Sequence, residues 1–517
     1  MTAPLSNHPT LRTLLLCALY AFVLLFFLSP DSYLYDTYFR SDSSWFFMCG
    51  KAWMHGMIPY VDFSDSKGPL LWLIYGVGYL LNHHSQIGVF WITVLLYAVI
   101  LFIAYRLCRL FLDERLSAIC VALLPFALLL RWVNLEAASS EDFCYPFVLF
   151  SLYALCRVIK EEESLPTKTF FWLCAGMGIS FTACLLIKWN IGCMIGGIML
   201  MTFILSFKQK RWALCLGSMI GGAVVLALPF LIYFLAFADF GTFIHEHFVN
   251  TFRTMDGRTN IMDTLTFDLA MIDREKFVIV LLIGMLLFTW RHKRYFWLLL
   301  CFLIFRLGLG KGTFRYISIL MPYAVFFLIA FFSLLSAKQL RVFRRFAPAW
   351  CVLAAILTVA VNLLQWGIIN RYLDREKALA FREKYYEVAY VMSQVEKPKV
   401  LWYSANDFDL GTMVDALPAC RYWARQIGAT EEMFVEREQA LREKIPDFVL
   451  LWCIVPPDET DQHERTTALG YVQYVVINNF DGHVDFALYG RPGLKLPPED
   501  FHVSQWDVWL KRNIFGI

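Results

Sequence analysis

Charge is scarce in this sequence: Asp, Glu, Lys and Arg make up 17% of its 517 residues and leave a net charge of only +3. The basic surface that would grip a nucleic-acid backbone is therefore missing. No P-loop, Rossmann fingerprint or G-x-S-x-G stands in the chain, which removes support for nucleotide-driven transport and serine-hydrolase chemistry. Repeats and low-complexity tracts are absent too. The 14 cysteines lack paired or metal-ligand spacing. Cys17, Cys120, Cys174, Cys184 and Cys193 fall inside apolar runs and read as small buried hydrophobes, while only Cys49, Cys420 and Cys453 read as extramembrane, which argues against a disulfide framework.

What fills the chain is apolar. Hydrophobic side chains are 59% of the residues and mean hydropathy is +0.54, well beyond a soluble protein and as expected of a polytopic helical membrane protein. The first run, residues 11–30, exceeds a signal-peptide core and ends in Ser29-Pro30-Asp31 without a small-residue cleavage site, so it is expected to stay as the first span. Runs long enough to cross a bilayer begin near 11, 88, 117, 142, 168, 190, 212, 276, 295, 316 and 349, predicting about eleven spans. With the N-terminus inside, the clusters Arg106/Arg109/Arg115, Arg157/Lys160, Lys208/Lys210/Arg211, Arg291/Lys293/Arg294 and Lys338/Arg341/Arg344/Arg345 all fall on the cytoplasmic side, as the positive-inside rule demands. That consistency requires residues 69–82, PLLWLIYGVGYLLN, to be a short interfacial helix and not a span. The expected organisation is a transmembrane domain over 1–371, with a large outer loop at 31–87, followed by a small extracytoplasmic α/β domain over 372–517. There the composition turns charged, and helical DREKALAFREKYYEVAYVMSQV precedes strand-like KVLWYS, DFVLLWCIV and GYVQYVVIN.

The outer loop concentrates Asp36, Arg40, Asp42, Lys51, Asp62, Asp65 and Lys67 between apolar segments, and charge kept beside a bilayer is a functional signal by default. Each candidate also has a plainer reading. Asp42 opens an amphipathic helix, SSWFFMCGKAWMHG, and can cap it; Trp45, Met48, Ala52 and Cys49 are expected to face the membrane. Asp62, Asp65 and Lys67 stand before Gly68-Pro69, which forces an extended entry into the next helix, and could be a solvated turn. Glu136, Glu141 and Asp142 lie at a helix mouth, where acids are favoured anyway. Lys188, Lys311 and Arg315 sit at outer helix ends, where long basic side chains snorkel. Their convergence on the side that carries the acids favours function. His245-Glu246-His247 invites a metal, yet its spacing aligns both imidazoles only in an extended segment, so no metal site is expected.

These residues form a pattern. Asp42, then Gly56 and IPYVDFSDSKGPLLW, resemble the first outer loop of the C-type (GT-C) membrane glycosyltransferases, in the bacterial branch akin to protein mannosyltransferases and aminoarabinose transferases. ASSED at 138–142, LLIKWN at 185–190 and GKGTFRYISILMP at 310–322 are similar to that family's second acidic loop, lysine turn and late lysine/arginine turn. The resemblance spans roughly residues 11–370. It implies transfer of a sugar from a polyprenyl-phosphate donor to a glycan, lipid or protein acceptor outside the cytoplasm, usually with inversion, with no obligatory cofactor and no nucleic-acid partner. By position it implies Asp42 as the catalytic carboxylate, with Asp65 as a second acid. Lys67, Glu141, Asp142, Lys188, Lys311, Arg315 and Tyr316 would bind substrate. Many relatives have Glu-Lys-Pro where this chain has Asp-Ser-Lys-Gly-Pro, which leaves the register of the second acid open.

Chemistry fits these implied roles. A carboxylate that takes the acceptor hydroxyl's proton is typically worth 10²- to 10⁴-fold in rate, and one preorganised cation at the departing phosphate about 3 kcal/mol. The rivals are a transporter or flippase of a lipid-linked saccharide, which would place broken helices near the midplane in related halves, and a ligase or polymerase using a lipid-pyrophosphate donor. The charges gather at one face and the halves do not match, which favours the transferase.

Overall fold

The computed structural model describes residues 11–34, 41–83, 85–129, 138–238, 240–250, 272–308, 314–365, 388–404, 409–424, 430–452, 462–477 and 486–494. In chain order the helices are α1 (Leu11–Leu28), α2 (Ser41–Met54), α3 (Pro69–Leu81), α4 (Ile87–Cys108), α5 (Glu114–Leu128), α6 (Ser140–Glu161), α7 (Thr167–Ile187), α8 (Trp189–Lys208), α9 (Trp212–Phe237), α10 (Phe240–Ile244), α11 (Ile272–Arg291), α12 (Phe296–Gly308), α13 (Ala324–Leu334), α14 (Ala337–Arg345) and α15 (Ala347–Gln365). A π-helical turn, His245–Asn250, follows α10, and a 3-10 segment, Phe314–Tyr323, precedes α13. Then come β1 (Lys399–Trp402), α16 (Asp409–Met413), β2 (Leu417–Pro418), α17 (Glu431–Arg442), β3 (Phe448–Trp452), α18 (Gln462–Ala468), β4 (Val472–Ile477) and β5 (Phe486–Gly490).

The chain is a mostly helical multi-pass membrane protein with a small carboxyl-terminal α/β module. A helical element starts within four residues of each of the eleven expected positions. Among the described residues, seven helices are long and apolar enough to cross a bilayer, or eight if Ser318–Leu334 and Ala337–Arg345, bent by 118°, form one span. Helix α5 has 15 residues, and Asp113 caps its start by accepting from the Arg115 and Leu116 amides. Residues 69–82 give the expected short helix: Gly68 is extended (ψ 162°), Pro69 occupies the first turn and α3 ends after 13 residues. At about 1.5 Å per residue this falls well short of a ~30 Å hydrocarbon core.

Two compact units divide these elements. Met1–Leu34, Trp91–Tyr233 and Asp256–Trp366 form one; Tyr35–Phe90, Phe234–Met255 and Gly367–Ile517 form the other. In the first, α6 packs on α7 and α8, α5 on α15, and α11 on α13. Helix α6 starts with a capping box, Ser139 accepting from the Asp142 amide while the Asp142 carboxylate accepts from the Ser139 amide. In the second, the first outer loop shares a unit with the carboxyl-terminal module, whose sheet has the order β2-β1-β3-β5-β4. Strand β1 pairs parallel with β2 and β3, while β5 runs antiparallel to β3 and β4. Leu401, Tyr403, Val449, Leu451, Ala487 and Tyr489 are among the residues of its core.

Helices α2 and α3 cross closely. A Cβ on Gly50 would lie 2.4 Å from the Gly76 amide nitrogen and 2.8 Å from the Trp72 carbonyl oxygen, so only glycine permits the contact. The α2 face expected to meet the membrane is instead packed in protein. Met48, Cys49 and Ala52 are fully buried, and the Trp45 ring lies 5.4 Å from that of Trp423. An apolar stripe seeks any apolar partner, and here a folded module supplies it. The cysteines read as buried hydrophobes are so at 17, 120, 174 and 184; Cys193 is exposed on α8, where an apolar thiol can face lipid as readily as protein. Cys420 is half-buried, and Cys453 lies outside the described residues.

Candidate active site

The outer loop is built as a set of locked turns. Asp62 accepts from the Ile58 amide at 2.6 Å, and the Tyr60 amide donates to the Phe63 carbonyl at 2.7 Å. Tyr60 pays for this turn with a φ of 66°, a conformation costly for a bulky residue and held only where surroundings over-determine it. They do: its ring is buried between Trp72, 4.8 Å away, and Phe243, 5.5 Å away, and its hydroxyl donates to the Lys67 carbonyl at 3.0 Å. Phe63 packs on the same tryptophan at 5.3 Å. These aromatics form the loop's own core.

This scaffold presents the candidate acids. Asp42 lies half-buried in the first turn of α2. Asp65, 8% exposed, accepts from the Ser66 amide at 2.6 Å and the Ser66 hydroxyl at 3.2 Å through Oδ1. Its Oδ2 is buried and has no hydrogen-bond partner among the described residues. Such an oxygen is costly to keep unless something else comes to it; it can accept a proton or a hydrogen bond from a bound molecule. Lys67 donates to Ser66 Oγ at 3.1 Å, with its amine 5.8 Å from the Phe46 ring centre.

In the sequence Glu246 stands out only as part of the His245-Glu246-His247 motif. It is the hub of this unit. Buried, it accepts from Ser64 Oγ at 3.0 Å, Tyr422 Oη at 2.8 Å and Asn250 Nδ2 at 3.3 Å. It thereby holds Ser64, the neighbour of Asp65; the Ser64 amide also donates to the Arg421 carbonyl at 2.8 Å. Burial first, and then the Glu246 carboxylate, hold the Tyr422 hydroxyl above its ordinary value, so it stays a donor at neutral pH. His245 and His247 sit on a helical backbone, which turns neighbouring-but-one side chains away from each other; His247 stacks on Phe243 at 5.8 Å. Among the described residues no group of three or more His, Cys, Asp or Glu is placed to hold a metal ion.

In the first unit the structure brings Glu141 and Lys188 together as an ion pair, although 47 residues separate them. Lys188 stands in extended conformation (φ −153°, ψ 99°) between α7 and α8, a break that aims its side chain at the first turn of α6. Glu141 also accepts from Ser140 Oγ at 2.9 Å. Asp142 is engaged otherwise: besides its capping role, it accepts from the Tyr97 hydroxyl at 2.6 Å. Arg315 and Tyr316 lie in the 3-10 segment. Their side chains, like Lys311 and Glu136 as a whole, fall outside the described residues.

Comparison with known proteins follows the same lines. Residues 66–237 match the family model of dolichyl-phosphate-mannose-protein mannosyltransferase. No curated protein matches the chain by sequence. Among solved structures, ArnT from Cupriavidus metallidurans bound to undecaprenyl phosphate is similar with a TM-score of 0.57 and 13% identity, covering 94% of this chain and 99% of that one. Its apo state is similar with a TM-score of 0.58 and 12% identity, over 92% and 97%. The Archaeoglobus fulgidus oligosaccharyltransferase is similar with a TM-score of 0.51 and 13% identity, over 94% and 74%. At these identities the shared property is the fold.

Proposed function

We propose that this chain is a C-type membrane glycosyltransferase that transfers a sugar from a polyprenyl-phosphate carrier to an extracytoplasmic glycan, lipid or protein acceptor; the fold likeness along almost its whole length and the family-model match over residues 66–237 support this reading. The observation that carries this reading is the near-complete mutual coverage with ArnT, a protein solved with undecaprenyl phosphate bound. The acceptor hydroxyl attacks the anomeric carbon of the donor and its proton passes to Asp42. The bond from that carbon to the phosphate oxygen breaks, and the electron pair leaves with the lipid phosphate. Attack opposite the leaving group inverts the anomeric configuration.

The proposed roles follow from charge and placement. Asp42 is the base; Asp65, whose buried Oδ2 has no hydrogen-bond partner among the described residues, binds sugar or acceptor hydroxyls. Lys67, Lys188, Lys311 and Arg315 offset the charge that develops on the departing phosphate. Glu141 holds Lys188 in place, and Asp142 and Tyr316 complete the substrate-binding set. No obligatory metal enters the scheme. The protein resides in the inner membrane, with the site and residues 372–517 on the periplasmic side.

The test is reconstitution in proteoliposomes with purified undecaprenyl-phosphate-linked sugars and measurement of released undecaprenyl phosphate. Wild type is expected to turn over one such donor, and Asp42→Asn to lose about 10²-fold or more. Undiminished transfer by a well-folded Asp42→Asn protein would remove Asp42 from the mechanism. Activity only with a lipid-pyrophosphate donor would assign a ligase or polymerase, and movement of the donor across the bilayer without transfer would assign a flippase.

A further inference from the structure

The far end of α2 is held by the carboxyl-terminal module. Nine residues after Asp42 in sequence, the amine of Lys51 is fully buried. It donates to the main-chain carbonyls of Gly411 at 2.5 Å and Val414 at 2.8 Å, at the end of α16. One turn further on, His55 Nε2 lies 2.9 Å from the Tyr79 hydroxyl and 3.3 Å from Asp415 Oδ1, and Tyr79 donates to that oxygen at 3.1 Å. On the same flank, a Cβ on Gly411 would sit 2.4 Å from the Met48 sulfur. From Trp45 to His55, this side of the helix is therefore walled by residues 411–423.

We propose that the carboxyl-terminal module is a positioning element for sugar transfer: the carbonyls of Gly411 and Val414 capture Lys51 and so fix the register of the helix whose first turn carries Asp42. The proposal rests on the role given to Asp42 above and adds to it a positioning residue, Lys51, and a task for the module. A residue misplaced by about 1 Å can cost on the order of 10²-fold in rate, so a helix that carries a base needs an anchor at its other end. An anchoring amine with two carbonyl acceptors is matched to the neutral form, which has two N–H donors, where the ammonium has three.

Burial lowers the Lys51 amine to about 7, with Asp415 opposing the shift. The titratable groups facing it among the described residues are His55 from α2, Tyr79 from α3 and Asp415 after α16. Because the docked amine titrates below its ordinary value of 10.5, the undocked state binds more protons between the two values. Docking therefore strengthens as pH rises from about 7 toward 10.5 and is flat with respect to this group below about 7.

Hydrogen exchange on the full chain in lipid nanodiscs tests the anchor without any substrate. Protection over residues 41–54, corrected for intrinsic exchange, is expected to rise between pH 7 and 9 by up to about tenfold per unit. Lys51→Met keeps the bulk of the stem and removes the donors; it is expected to lower that protection about tenfold at pH 8 and to flatten its rise, while α6 stays protected. Equal protection of α2 in both proteins, or a wild-type profile that does not rise, overturns the anchor. Should the variant also lose protection in α6, the wild-type pH series decides. The positioning claim is read separately with the undecaprenyl-phosphate sugar used for Asp42: kcat is expected to fall about tenfold or more with donor KM within about twofold, and unchanged kcat overturns it. If wild type turns over no such donor, the functional reading has failed and the anchor stands or falls on exchange alone.

Discussion

Glu141 and Lys188 are each 13% exposed or less at the side chain, so neither can be removed alone without leaving the other charge poorly solvated. Lys188→Met is expected to destabilise the folded protein by about 3–5 kcal/mol, and adding Glu141→Gln to restore much of the loss, because a buried pair costs little to delete whole and much to halve. Thermal unfolding in detergent of the two single variants and the double variant checks this. Additive losses would mean that the pair carries no coupling. Both residues stood out in the sequence, one in an acidic loop and one in a lysine turn, because charge is conspicuous in an apolar chain. Their partnership did not, since nothing local links residues 47 positions apart. Glu246 was harder still: two flanking histidines suggested a metal, whereas its partners Ser64 and Tyr422 are 182 and 176 residues distant.

At the scale of elements, the apolar runs and their punctuation were readable. Pro69 and Gly68 mark the start of α3, its length follows from where the apolar run stops, and the break at Lys188 falls where LLIKWN interrupts two apolar helices. What α2 packs against was not readable, because a stripe of Trp45, Met48 and Ala52 suits lipid and protein alike; only tertiary structure shows the module residues beside it. The α2–α3 crossing gives a sharp test. Gly50→Ala places a methyl 2.4 Å from a main-chain nitrogen, where no side chain can swing away, whereas nothing lies within 4 Å of a Cβ on Gly197. Gly50→Ala is expected to cost about 1–3 kcal/mol or more, and Gly197→Ala to stay within about 0.5 kcal/mol or to stabilise α8 slightly. Matching unfolding temperatures for the two variants would show that the crossing does not constrain the loop.

For the whole molecule, topology rests on the distribution of charge. The clusters at 106–115, 157–160, 208–211, 291–294 and 338–345 share one side only if the number of spans before each has the right parity, and treating α3 as interfacial gives that parity. Its 13 residues are consistent with that assignment, since a helix this short leaves main-chain and polar ends inside hydrocarbon if forced across. With the odd number of spans expected from sequence, residues 372–517 would lie on the side opposite the N-terminus. Val435 on α17 and Val342 on α14 are both well exposed, at 56% and 47%, and under this topology would report on the two aqueous sides. In cells with a permeabilised outer membrane, a membrane-impermeant maleimide is expected to label Val435→Cys above the wild-type background and to leave Val342→Cys unlabelled until the inner membrane is lysed. The reverse pattern would put the carboxyl-terminal module in the cytoplasm. It would also move Asp42 away from acceptors outside the cell, because the module and the α2 helix it anchors through Lys51 share one compact unit.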